Sequence, residues 1–135
     1  MTLVDSNILI DVMTDNPAWS EWSIAHLRRA ASNGPLLIND VIYAETSIGY
    51  PSIEKAESAL ERVRVRRVTI PPAALFLAGK AFVQYRGAGG PRTGVLPDFF
   101  IGAHASAERI PLLTRDVRRY RHYFPDLQLI APQVS

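Results

Sequence analysis

Five short apolar or β-branched runs, Thr2–Val4, Leu36–Ile38, Arg67–Ile70, Ile110–Thr114 and Leu127–Ile130, are spread along the chain with a longer stretch between each pair. Runs this short and this apolar suit strands buried on both faces, as in parallel sheets, and parallel neighbours need a crossover between them. The pattern therefore predicts an α/β fold: a three-layer α/β/α domain on a mainly parallel central sheet. A chain of 135 residues is the size of one core, so residues 1–135 are expected to form a single domain.

The intervening stretches carry their own start and stop signals. Ser6 and Asn7 lead into the apolar stretch Ile8 to Met13, a helix directly after the first strand. Asn16-Pro17 breaks the chain, Ala18 to Ala31 has helical spacing, and Asn33-Gly34-Pro35 stops it. Val41 to Ile48 reads as a helix, and Ile53, Ala56, Ala59, Leu60 and Val63 follow the i, i+3, i+4 rule behind Ser52. Pro71-Pro72 opens an apolar helix over Ala73 to Tyr85, Gly87 to Gly94 is a flexible loop, and Leu96 to about Arg109 is a further helix. Its small Gly102, Ala103 and Ala105 beside Phe99, Phe100 and Ile101 predict tight burial, and Val117 to Phe124 is a short helical or turn segment.

Composition removes several classes of function. Without cysteine there is no disulfide, thiol nucleophile or cysteine-held zinc. No apolar run approaches the roughly 18 residues of a membrane span, and the N-terminus carries an acid in place of a basic leader, so a soluble, unprocessed, cytoplasmic chain is expected. His26, His104 and His122 lack paired-ligand spacing, and His104 reads as structural. Of the 15 basic residues only Lys55 and Lys80 are lysines. The arginine excess permits a phosphate-bearing partner, although a bias in codon usage would give the same excess.

Parallel sheets place functional groups at the carboxyl ends of their strands. Asp5, Asp40 and Asp116 each lie at or just past the end of an apolar run, while Glu45 and Asp98 sit in helical stretches otherwise too apolar to need a charge. Taken singly, each acid reads as a helix cap or a solvated charge. Gathered in one crevice they would repel and require a raised pKa or a bound cation. Hard divalent ions such as Mg²⁺ or Mn²⁺ take oxygen ligands and can hold phosphate and water together, which makes phosphodiester hydrolysis the natural chemistry.

The segments LVDSNILIDV (3–12), INDVIYAET (38–46), LPDFFIGAHA (96–105) and LLTRDVRRYRHYFPDLQLIAP (112–132) together resemble PIN-domain ribonucleases, specifically VapC toxins. The resemblance is a four-part pattern covering almost the whole chain. It implies a PIN-like domain in which Asp5, Glu45, Asp98 and Asp116 form an acidic quartet holding Mg²⁺ or Mn²⁺, with Asn7 and Thr114 orienting the carboxylates. It further implies an endoribonuclease that leaves a 5′-phosphate and a 3′-hydroxyl, acts as the toxin of a type II toxin-antitoxin system, is blocked by a VapB-type antitoxin, and is a homodimer.

Several features stay open on the sequence alone. Asp40 is read as the cap of the following helix in preference to an extra acid beside the site. Arg115, Arg118 and Arg119, next to Asp116, and Arg92 in the glycine-rich loop are candidate RNA contacts, with Tyr120 and Tyr123 either stacking bases or buried. Arg62, Arg64, Arg66 and Arg67 form a second basic cluster, and Trp19 and Trp22 read as core or dimer contacts. The loop GAGGPRTG lacks the Gly-Lys-Ser/Thr of a phosphate loop. A receiver-type signalling domain would need a lysine after a late strand, which this chain lacks. A metal-dependent DNase or phosphatase, and a non-catalytic RNA-binding or complex-forming module, are the remaining alternatives.

Overall fold

The computed structural model describes residues 1–90 and 96–132. Among these residues five strands, β1 (Thr2–Val4), β2 (Leu36–Ile38), β3 (Val65–Arg67), β4 (Leu112–Leu113) and β5 (Leu129–Ile130), form one sheet in the order β3-β2-β1-β4-β5. All four pairings are parallel, with Leu3 opposite both Leu37 and Leu112. Among the described residues seven helices supply the connections: α1 (Ser6–Met13), α2 (Ser20–Ser32), α3 (Asp40–Ser47), α4 (Ile53–Val63), α5 (Pro72–Gly87), α6 (Leu96–Glu108) and α7 (Arg118–Tyr123). The result is the expected three-layer α/β/α arrangement.

Burial explains why such short strands hold. Leu3, Val4, Leu112 and Leu113 have no exposed surface, and each such aliphatic side chain contributes about 1.5–3 kcal/mol. β1 is the central strand, and the chain moves from it to β2 on one side and later to β4 on the other. The carboxyl ends of β1 and β4 therefore flank the point where strand order reverses, which is where open α/β sheets make their crevice.

Side-chain caps set the starts of α1, α3 and α4. Asp5 accepts the Ser6 amide at 2.7 Å to open α1, and Ser52 accepts the Lys55 amide at 3.2 Å to open α4. At α3 the cap is Asn39 and not Asp40: the Asn39 Oδ1 accepts the Ile42 amide at 3.0 Å. Asp40 is one residue further in, exposed, and paired with Arg67 at 2.7 Å.

The third strand lies earlier than the apolar run Arg67–Ile70 suggests. Arg64 adopts a left-handed conformation (φ 63°) and returns its amide to the Leu60 and Glu61 carbonyls, so α4 stops abruptly and the strand starts at Val65. β3 is an edge strand, and its sequence VRR shows charge on an unpaired edge in place of a buried apolar run. The fourth strand is shorter than Ile110–Thr114 because Pro111 has no amide to add to the ladder; it contributes only its carbonyl, to Leu3.

Candidate active site

Asp5 is buried, 3% exposed, and surrounded by donors from three parts of the chain. Its Oδ1 accepts the Ser6 amide, and its Oδ2 accepts the Thr114 hydroxyl at 2.8 Å and the Tyr120 hydroxyl at 2.9 Å. Asn7 Nδ2 donates to Thr114 at 3.3 Å and, at 3.4 Å, to the same Oδ2. These contacts tie the carboxyl end of β1 to the segment after β4. Thr114 also accepts the Asp116 amide at 3.0 Å, and Asn7 accepts the Arg115 amide at 3.2 Å, so one polar network shapes the Asp116 turn.

Glu45, on α3, enters this network through Ser6, whose hydroxyl donates to it at 2.9 Å. Asp98 lies in the first turn of α6, half-buried. Asn39 Nδ2 donates to Nδ1 of buried His104 at 3.0 Å, which fastens α6 to the β2–α3 junction. Burial lowers the His104 pKa, and the accepting Nδ1 requires the neutral ring. His104 is thus structural, as the sequence predicts.

The electrostatics join the four acids. Burial pushes the Asp5 carboxyl up against the pull of its hydrogen bonds, and Glu45 adds repulsion. Burial likewise raises Glu45, where the Ser6 hydroxyl opposes it and Asp98 adds to it. The Tyr120 hydroxyl is held well above the usual tyrosine range, first by burial, with Asp5, Asp98 and Asp116 all contributing. Among the described residues no lysine or arginine forms an ion pair with Asp5 or Glu45.

That donor set fits a hard divalent cation. It consists of carboxylate oxygens whose repulsion a cation would relieve. Among the described residues no three acids or histidines are already gathered as a metal cage. Mg²⁺ does not need one, since it keeps several waters and binds through one or two carboxylates.

The arginines separate in the structure. Arg115 is not free to face RNA: its Nε and Nη2 reach the two oxygens of Asp11 at 2.6 and 2.9 Å, and its guanidinium lies 4.9 Å from the Trp19 ring centre. Asp11, 1% exposed, also accepts the Ser23 hydroxyl at 2.8 Å, so this pair binds α1, α2 and the Asp116 turn together. Arg118 is exposed, whereas Arg92 and the side chain of Arg119 lie outside the described residues. Tyr120 is buried and cannot stack on a base, and half-buried Tyr123 packs edge-on to Phe99.

Sequence reasoning missed Asp11 and the part played by Tyr120. A signal for Asp11 was present, because a lone acid in the apolar stretch ILIDVM is as unexpected as Glu45 or Asp98. For Tyr120 no local signal existed; its partner is 115 residues away.

Residues 2–125 match the family model of the PIN domain. The chain belongs to the PIN domain family. PIN domains are generally nucleases that use divalent metal ions. Among solved structures, the chain is similar to one in VapBC2 from Rickettsia felis bound to a promoter DNA fragment, with 20% identity, a TM-score of 0.75 and 98% of each chain covered. It is similar also to one in VapBC-1 from nontypeable Haemophilus influenzae (23% identity, TM-score 0.72, 96% of each chain) and in DNA-bound VapBC from Salmonella typhimurium (16%, 0.70, 96% of each). No curated protein matches the sequence. Among the described residues of this PIN domain, no helix is long and apolar enough to cross a membrane.

Proposed function

We propose that this PIN domain is a VapC-type toxin, a divalent-metal-dependent endoribonuclease. The observation that carries the reading is the hydrogen-bond network that links buried Asp5 to Glu45 through Ser6 and to the Asp116 turn through Thr114, beside the point where strand order reverses; burial and repulsion raise Asp5 and Glu45. Mg²⁺ or Mn²⁺, when bound, supplies charge for the phosphate and acidifies water into a nucleophile. Asp5 and Asp98 are the residues assigned to hold it, with Glu45 and Asp116 completing the set directly or through water.

The remaining work falls to the chain itself. Asn7 and Thr114 fix the carboxylate plane of Asp5, as supporting groups commonly do around metal ligands. Hydrolysis breaks the P–O3′ bond of the RNA, a water oxygen bonds to phosphorus, and the products are a 5′-phosphate and a 3′-hydroxyl. Exposed Arg118 is assigned to the RNA backbone, together with Arg119 and Arg92, whereas Arg115 is committed to Asp11.

The partner is a VapB-type antitoxin. The reading is supported by the VapBC complexes among the similar structures and by an apolar groove of about 390 Å³ beside Glu45, lined by Ile10, Met13, Ile48 and Tyr50. A homodimer is the assigned oligomeric state. The test is cleavage of total cellular RNA by purified, antitoxin-free protein with Mg²⁺, Mn²⁺ or EDTA. Discrete metal-dependent cuts in the wild type and none in Asp98→Asn are expected. Equal cutting by the variant, or cutting in EDTA, would overturn the assignment.

A further inference from the structure

Tyr120 is buried in a way that packing alone does not require. Its ring is 1% exposed, pressed from α7 onto α6 at Gly102, where an added Cβ would come within 2.9 Å of the ring and 2.6 Å of Phe124. Phenylalanine would fill the same volume, yet the residue carries a hydroxyl that ends 2.9 Å from Oδ2 of Asp5.

The donors around Asp5 are unevenly divided. A carboxylate oxygen offers two in-plane lone pairs, and on Oδ2 the Thr114 hydroxyl at 2.8 Å and the Tyr120 hydroxyl take both. On Oδ1, among the described residues, the one short bond is the Ser6 amide at 2.7 Å. The Ser6 hydroxyl is nearer Glu45 (2.9 Å) than Oδ1 (3.3 Å), and its single proton goes to the nearer acceptor. One lone pair of Oδ1 thus lacks a short donor, on the side where Ser6 links Asp5 to Glu45.

We propose that Tyr120 is a positioning residue for the cation site: with Thr114 it holds Oδ2 of Asp5 and so reserves Oδ1 as the single oxygen this carboxylate presents to a divalent ion. The inference rests on the nuclease reading and adds a residue to it. Without the tyrosine hydroxyl, Oδ2 keeps only the Thr114 hydroxyl as a short donor, and the carboxylate is held less firmly against rotation about its Cβ–Cγ bond. Outer partners of metal ligands typically account for about 10- to 100-fold in metal affinity, the range expected for Tyr120.

The experiment is a calorimetric titration of the full chain with Mn²⁺ alone, no RNA present, for wild type, Tyr120→Phe and Tyr123→Phe, with a thermal melt of each metal-free protein. Tyr120→Phe should bind Mn²⁺ about tenfold more weakly. Tyr123→Phe, which alters a ring facing Phe99, should bind as wild type does. A purely structural role for Tyr120 would lower the melting temperature and leave Mn²⁺ affinity unchanged, which overturns the proposal. Wild type that binds no Mn²⁺ overturns the nuclease reading and this inference with it, so the two failures are distinct. Should Tyr120→Phe not fold, Thr114→Val removes the other hydroxyl donor to Oδ2, and unchanged Mn²⁺ affinity there is equally fatal.

Discussion

Two buried carboxylates six residues apart, Asp5 and Asp11, have opposite surroundings. Asp11, inside α1, meets a cation: both its oxygens face the Arg115 guanidinium, and Ser23 adds a hydroxyl. Asp5, at the head of the same helix, meets only neutral donors among the described residues, and the like charge of Glu45 adds repulsion. Burial cannot distinguish the two, since they are 1% and 3% exposed. The difference is charge compensation: a matched buried acid is costly to separate from its partner, while an unmatched one is a candidate site for a cation from outside.

The sharpest way to break that contrast is through activity. Asp5→Asn should reduce metal-dependent RNA cleavage by at least about a thousandfold, roughly 4 kcal/mol, in a single-turnover assay. Asp11→Asn, if the remaining protein is folded, should cleave within about tenfold of wild type. Comparable losses in both would show that the two acids do the same work.

Stability should separate them by sign. Asp11→Ala strands the guanidinium of Arg115 and should cost about 3 kcal/mol by urea denaturation of metal-free protein. Asp5→Asn removes an uncompensated charge and should leave the metal-free fold as stable or up to about 1 kcal/mol more so. Destabilisation by Asp5→Asn as large as that of Asp11→Ala would remove the distinction.

A smaller effect sharpens the picture through pH. The Asp5 and Glu45 carboxyls are raised in the fold, so the folded chain binds their protons more tightly than the unfolded chain does. Their ionisation therefore subtracts stability as pH rises from the unfolded carboxylate range, about pH 4, through their folded values. The stability gap between Asp5→Asn and wild type should be small near about pH 4 and widest above the folded value. A gap that stays constant with pH would refute the uncompensated charge of Asp5 as its cause. The smallest effect lies outside the pair: Arg118→Ala should lower the salt dependence of RNA binding by about one charge, read as the slope of log affinity against log salt.

How much of this was legible in the sequence depended on how local the cause was. β1 and β2 are legible because their apolar runs end at Asp5 and Asn39-Asp40, and the chain enters a helix at once. β3 is displaced because an edge strand need not be apolar and because the left-handed turn at Arg64 leaves no residue-type signal. The four acids could be picked out as charges standing at strand ends or in apolar helices, and the same logic applied to Asp11 would have found it too. What no local logic supplies is the identity of the partner. Arg115 looks like a phosphate ligand until its pairing with Asp11, 104 residues earlier, is known. Tyr120 looks like a stacking platform until its ring is seen inside the core.

The central pairing of β1 with β4 also bears on the order of events during synthesis. Leu3 and Val4 are made long before their partners Leu112 and Leu113, and Asp5 gains Thr114 and Tyr120 only when those residues have left the ribosome. Until then the nascent chain has one side of its central strand unpaired and its buried acid unsupported. For the toxin proposed above, that late closure delays the assembly of the cation site until the segment after β4 has been made.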